Sequence, residues 1–205
     1  MHGAETDVNA LDEGARLMLA FRDGDDAAFD ALFGRWAAPL LRYLERMVSD
    51  SATAEELVQE AFLRVHGARD RYAPDARFST WLYRIATNLA LNELRRPRRK
   101  ARHESTHDAQ GAPVDLRAEQ PDVDAVVDAR RAGDALEAEL DALPERQRVA
   151  LWLTAVEGQS YAEVAETLDA TEKSVKALVH RARSTLAERM TSAGERREPV
   201  REART

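Results

Sequence analysis

The chain has 205 residues, 44% hydrophobic and 33% charged, rich in Ala, Leu, Arg and Glu and poor in β-branched runs, which predicts an all-α protein of two small domains. It contains no cysteine, which excludes a disulfide framework and a thiolate zinc site and points to a reducing cytosol. The formal net charge of −7 argues against a uniformly basic nucleic-acid binder, but the charge is polarised: basic from Arg64 to Arg102 and from Lys173 to Arg183, acidic between, with Asp108, Asp115, Glu119, Asp122, Asp124 and Asp128.

The N-terminal residues lack a basic region followed by an apolar run, and no stretch approaches membrane-spanning length. A soluble, cytoplasmic protein with no membrane insertion is therefore expected. Residues 1–24 read as an N-terminal extension and first helix. From Phe29 through Leu32, Phe33, Trp36, Leu40, Tyr43, Leu44 and Met47, apolar residues recur at three- and four-residue steps, one face of a helix that Pro39 should kink or divide. Thr53 to Glu56 has capping-box spacing ahead of Leu57, Ala61 and Val65, which line the next helix. A charged loop with Pro74 precedes Phe78 to Lys100, FSTWLYRIATNLALNELRRPRRK, which begins as an aromatic, apolar helix and ends in Arg95, Arg96, Arg98, Arg99 and Lys100. Aromatics that support unstacked bases and guanidinium groups that hold phosphates would make this element a nucleic-acid binder. An ordinary core helix with a solvated basic end is the competing reading. These helices form a first domain over residues 25–102.

Periodicity then disappears over residues 103–128, where Gly111, Pro113 and Pro121 mark a flexible acidic linker. A second domain is expected over 129–190, with Leu136, Leu140, Leu143, Val149, Leu151, Trp152, Leu153 and Val156 as its first apolar set. Pro144 suits the first helical turn and Gly158 the helix end. Ser160 and Thr171 are placed to cap two further helices. Ser160 to Arg183 thus reads as a helix-turn-helix whose outward residues, Lys173, Lys176, His180, Arg181 and Arg183, would reach base edges and phosphates in a major groove. Residues 191–205 read as a disordered tail.

Two segments in this order resemble the RNA polymerase sigma factors, in particular the extracytoplasmic-function class of the sigma-70 family. AEELVQEAFLRVHGARDRYAPDARFSTWLYRIATNLALNELRR, Ala54 to Arg96, is similar to the family's region 2, and LPERQRVALWLTAVEGQSYAEVAETLDATEKSVKALVHRARSTL, Leu143 to Leu186, to its region 4. The resemblance implies an alternative sigma factor, not an enzyme and without a cofactor or metal, that binds core RNA polymerase at clamp and flap. It would direct promoter recognition, melting and initiation, and be held silent by an anti-sigma factor. By the same resemblance Glu56, Leu57, Val58, Gln59 and Phe62 would dock on polymerase. Promoter DNA, duplex and melted non-template strand, would meet Arg71, Asp75, Arg77, Phe78, Trp81, Asn88, Arg95 and Arg96 at the minus-10 element. Lys173, Lys176, Ala177, His180, Arg181 and Arg183 would meet the minus-35 element. Ala177 and Leu178 stand where the family frequently has Ser-Arg, which leaves fewer hydrogen bonds for base readout. Trp81 has two readings, a core tryptophan or a stacking platform.

Two other functions compete. A helix-turn-helix regulator with an unrelated N-terminal domain explains the second domain equally well but not the docking and basic elements of the first. A literal HExxH at His103, Glu104 and His107 matches the zinc-protease motif, but it falls in the linker, without helical periodicity or a third ligand. The linker carboxylates from Asp115 to Asp128 either run through the basic channel of polymerase or form a solvated tether.

Overall fold

A computed structural model describes residues 11–96 and 136–195. Four helices build the first domain: α1 (Glu13–Arg22), α2 (Asp26–Val48), α3 (Ser51–Gly67) and α4 (Phe78–Arg95), with a 3-10 turn at Arg69–Arg71 ahead of α4. The second domain holds α5 (Glu145–Ala155), α6 (Tyr161–Leu168) and α7 (Glu172–Glu195), preceded by a short helical segment at 136–141. The expected linker, including His103, Glu104 and His107, lies outside the described residues.

Local chemistry accounts for the helix starts. Asp12, Asp25 and Asp50 each sit in an extended N-cap and accept an amide from the first turn of α1, α2 and α3. The start of α3 therefore differs from the expected Thr53–Glu56 box: the Asp50 carboxylate takes the Thr53 amide at 2.8 Å, which puts Thr53 inside the first turn. Pro39 does not divide α2, which is one helix of 23 residues. The loss of one backbone bond at a proline is offset here by the buried face of Leu32, Leu40, Tyr43, Leu44 and Met47. Helix α5 ends at Ala155, before Gly158, whose φ of +66° instead makes the turn into Ser160. Pro144 is the residue immediately before α5 rather than within its first turn. Helix α7 continues beyond the expected boundary at residue 190 to Glu195.

In the core of the first domain α4 packs across α2 and α3. Where they meet, the Tyr43 hydroxyl and the Thr87 Oγ1 lie 2.6 Å apart, both fully buried. Burial drives the Tyr43 phenol far above its ordinary pKa, so it stays protonated and satisfies its neighbour. Phe21, Phe29, Phe33 and Phe62 form an aromatic chain between α1, α2 and α3. Val149, Leu153, Val164, Leu168, Val175 and Val179 fill the second domain and belong to one apolar cluster with the first.

The two domains pack directly on each other, α6 against α4 and α5 against the end of α2. Arg148 of α5 donates one guanidinium nitrogen to the Met47 carbonyl at 2.9 Å and another to the Asp141 carbonyl at 3.1 Å. Arg46 reaches Glu137 at 2.9 Å and Asp141 at 3.5 Å. The Arg148 pKa is lowered, by burial first, against the pull of Asp141 and Glu145. Burial above all, with the Glu157 carboxylate just beyond α5 adding to it, raises the pKa of the Tyr83 phenol on α4.

Tyr43→Phe removes a hydroxyl whose buried partner cannot reach water, so we expect a loss on the order of 1–2 kcal/mol. In urea unfolding this reads as a lower midpoint with unchanged slope.

Candidate polymerase and nucleic-acid interface

One face of α4 is core and the other is open. Leu82, Tyr83, Ala86, Thr87, Leu89 and Ala90 are buried, whereas Arg84, Asn88, Asn92 and Arg95 are exposed. With Arg77 and the half-buried Trp81, the open residues follow a four-three-four-four-three spacing, a single stripe along the helix. At 1.5 Å per residue the stripe runs about 27 Å. Arg84 and Asn92 were legible from this period but are not carried by the motif resemblance. Arg96 is exposed beyond the last turn and pairs with Glu93 at 3.0 Å.

The loop that starts the stripe is ordered by rings. Tyr72 lies 5.1 Å from Trp81, and Phe78 lies 5.8 Å from Trp81 and 5.0 Å from Trp36. Phe78 is fully buried, so its side chain is a packing residue in this conformation, not a surface for a base. Trp81 is half-buried: it packs on two rings and keeps part of its surface at the edge of the stripe. Arg71, Asp75 and Arg77 are exposed around it. Tyr72 carries no sequence signal of its own, yet its buried hydroxyl makes no hydrogen bond. Burial, helped by the Asp12 and Asp75 carboxylates, pushes that phenol up to about 12.

On α3 the residues expected to dock divide by burial. Leu57, Val58 and Phe62 are core, because α2 and α4 cover α3 from two sides. Glu56 and Gln59 are exposed, and one step further along the same face Leu63 is 67% exposed. Phe33 of α2, 45% exposed, packs on Phe62 at 4.8 Å. Leu63 and Phe33 are the apolar surface that sequence reasoning missed: periodicity places Phe33 on the core face of α2, and Leu63, off the face of Leu57, Ala61 and Val65, is carried by no motif.

The second domain is a helix-turn-helix with well-defined caps. Ser160 and Glu163 form a reciprocal capping box at the start of α6, with the Ser160 amide donating to Glu163 at 2.8 Å. Asp169, at φ +48°, turns the chain, and Thr171 accepts the Ser174 amide at 3.2 Å ahead of the next turn of α7. Arg146 donates to the Leu168 carbonyl at 2.8 Å, closing the end of α6. Lys173, Lys176, Ala177, His180, Arg181 and Arg183 are all exposed, whereas Leu178 is half-buried and packs inward.

Glu163 also ties this hairpin to the stripe. Its second carboxylate oxygen accepts from the Thr80 hydroxyl at 3.3 Å and lies 3.6 Å from the Arg77 guanidinium. Burial acts to raise its pKa, but the Ser160 backbone and hydroxyl bonds, Arg77 and Thr80 outweigh it and hold the carboxyl below its usual value.

Comparison with known proteins follows the same two units. The description "Sigma-70 region 2" matches residues 32–100, and "Sigma-70, region 4" matches residues 133–186. An ECF RNA polymerase sigma factor, SigE of Mycolicibacterium smegmatis, is 35% identical over 182 residues, 87% of this chain and 69% of the relative. The sigma factor CarQ of Myxococcus xanthus is 38% identical, over 72% of this chain and 80% of its own. The chain belongs to the extracytoplasmic-function class of the sigma-70 family. It is an alternative sigma factor, a protein that directs transcription initiation. The fold agrees: CnrH, solved with the cytosolic domain of CnrY, superposes with a TM-score of 0.66 at 23% identity, covering 88% of this chain and 99% of that one. Its N-terminal domain is the family's region 2, so the sigma factor is not a conventional regulator with an unrelated first domain. Among the described residues no helix is long and apolar enough to cross a membrane.

A carboxyl held below its usual pKa adds stability that is complete above the ordinary carboxylic range and is lost as pH falls through the lowered value. Glu163→Gln is thus expected to cost about 1 kcal/mol at pH 7, and the gap to the wild type should close below about pH 4.5. Urea midpoints of both proteins at pH 7 and pH 3 measure it.

Proposed function

We propose that this sigma factor docks on core RNA polymerase through α3 and captures the melted non-template strand along the α4 stripe, while α7 reads the duplex upstream. The observation that carries this reading is the stripe itself: Arg77, Trp81, Arg84, Asn88, Asn92 and Arg95 face outward from a helix whose other face is core. Cations at both ends hold phosphates and fix position, the asparagines offer donors and acceptors to an unpaired base edge, and Trp81 supplies a ring for stacking. Extruding a base costs a few kcal/mol of stacking, which these contacts offset. The charge of Arg95 and Arg96 extends the hold toward the duplex at the melting edge.

On α3 the docking surface is Glu56, Gln59 and the exposed Leu63, with Phe33 beside it. Leu57, Val58 and Phe62 support that surface from below. In region 4, Lys173, Lys176, His180, Arg181 and Arg183 reach the minus-35 duplex, and Ala177 provides close apolar contact instead of a hydrogen bond. Elements named for positions about 25 base pairs apart lie roughly 85 Å apart along B-form DNA. Two domains that share one apolar cluster cannot span that distance, so promoter engagement opens the joint between α4 and α6.

A silencing partner completes the reading. RpoE of Bartonella quintana was solved with the anti-sigma factor NepR, and the fold it shares with this chain has a TM-score of 0.59 at 22% identity. We assign this sigma factor an anti-sigma partner as well, one that covers polymerase-facing surface, and a cytoplasmic site of action beside polymerase and DNA.

Run-off transcription with core polymerase on genomic DNA tests the reading, with promoter-specific starts expected only when this protein is added. On a promoter mapped in this way, Arg84→Ala with Asn88→Ala should lower open-complex formation by about tenfold, roughly 1.4 kcal/mol, and leave affinity for core polymerase unchanged. Wild-type opening by the double variant, read by permanganate reactivity of unpaired thymines, refutes strand capture by α4.

A further inference from the structure

We infer that Asp12 and Gly14, at the start of α1, position the strand-capture loop, a function that rests on the reading of α4 above. Both residues lie ahead of the family-matched segment, which begins at residue 32, and neither has a role implied by the resemblance. The start of α4 explains why they are needed. Its N-cap is Arg77, which offers no side-chain hydrogen bond, so the first amides of the helix need a partner from elsewhere. Asp12 supplies it across 66 residues of sequence: its Oδ2 accepts the Phe78 amide at 3.0 Å. The other oxygen of the same carboxylate, Oδ1, accepts the Ala15 amide at 3.0 Å and caps α1. One carboxylate therefore holds the beginnings of two helices, and its negative charge suits both positive ends.

Gly14 works from the other side. A Cβ placed on it would stand 2.7 Å from Cβ and Cδ1 of Phe78, closer than such atoms approach. The α1 backbone thus lies directly on the Phe78 side chain, which is buried among Trp36 and Trp81 and has nowhere to move. Phe78 is gripped at its amide by Asp12 and at its ring by the Gly14 backbone. The residues on either side of that grip, Asp75, Arg77 and Trp81, are those that face DNA. Asp12, Asp75 and Arg77 also line one cleft of about 650 Å³ between α1, α2 and the loop. A shift of Phe78 would move Arg77 and Trp81 with it and reshape this cleft. Both residues are therefore positioning residues, acting on the strand through Phe78 without touching it.

The test uses the full chain bound to core polymerase and a single-stranded oligonucleotide carrying the non-template minus-10 sequence of a promoter mapped by run-off transcription. Asp12→Asn keeps a side chain that caps α1 well but has one acceptor oxygen in place of two. Asp12→Ser, with a single shorter acceptor, is the second variant. Both should bind the oligonucleotide five- to tenfold more weakly, with core polymerase affinity and minus-35 duplex affinity within twofold of wild type. Unchanged oligonucleotide affinity overturns the inference, and so does a parallel fall in all three affinities with a lowered urea midpoint, the pattern of a general loss of stability. Asn88→Ala serves as the control. If it weakens oligonucleotide binding while the Asp12 variants do not, the clasp alone is wrong; if neither weakens it, strand capture by α4 fails and the clasp with it.

Discussion

Helix α4 is covered by its own domain on one side and by α6 of the second domain on another, and it still keeps a polar stripe open to solvent. Three demands meet on a helix of 18 residues, and the rest of the fold is arranged to meet them. Its apolar face is fixed by α2 and α3, its start by α1, and its flank by the helix-turn-helix. Packed by α1, α2 and α3, the helix remains a rigid platform even where α6 parts from it. Under the strand capture proposed for α4, such rigidity would lower the ordering cost of binding and leave more of the contact energy for opening the duplex.

Much of this was legible in the sequence, and the reasons are local. The three- and four-residue steps of α2, α3 and α4 mark their buried faces, and Ser160 marks the cap of α6, whereas the box spacing of Thr53 and Glu56 misplaces the start of α3. The division into an all-helical pair of domains follows from the same signals. The resemblance of Ala54 to Arg96 and Leu143 to Leu186 to sigma regions 2 and 4 supplied the function, which the family matches bear out.

What stayed hidden depends on contacts between residues far apart in the chain. Periodicity puts Phe33 in the apolar set of α2 with Leu32 and Leu40, yet it is 45% exposed, because which helices cover a face is decided only by the fold. Phe78 looked like a surface aromatic since it opens a basic element, yet the approach of α1 across 66 residues buries it. Asp12 has no sequence signal for its second acceptor role, which joins it to Phe78. Glu163 is similar: its capping partner is local, but Thr80 lies 83 residues away. In each case the short-range duty is written in the sequence, and the long-range one exists only after folding.

The joint between the domains is marked by hydrogen bonds and ion pairs: Arg148 to the Met47 carbonyl, Arg46 to Glu137 and Asp141, and Glu163 to Thr80 and Arg77. Water can take the place of every one of these partners, and the net worth of such a bond is on the order of 1 kcal/mol because solvent competes for the same groups. The faces that part would carry arginine, threonine and carboxylate groups that hydrate readily, beside apolar side chains of the shared cluster. Contacts of this kind part and re-form at little net cost, so the resistance to opening lies in the apolar part of the seam. For the opening proposed on promoter DNA, the apolar side chains shared by the domains are thus what the contacts with DNA and polymerase have to outweigh.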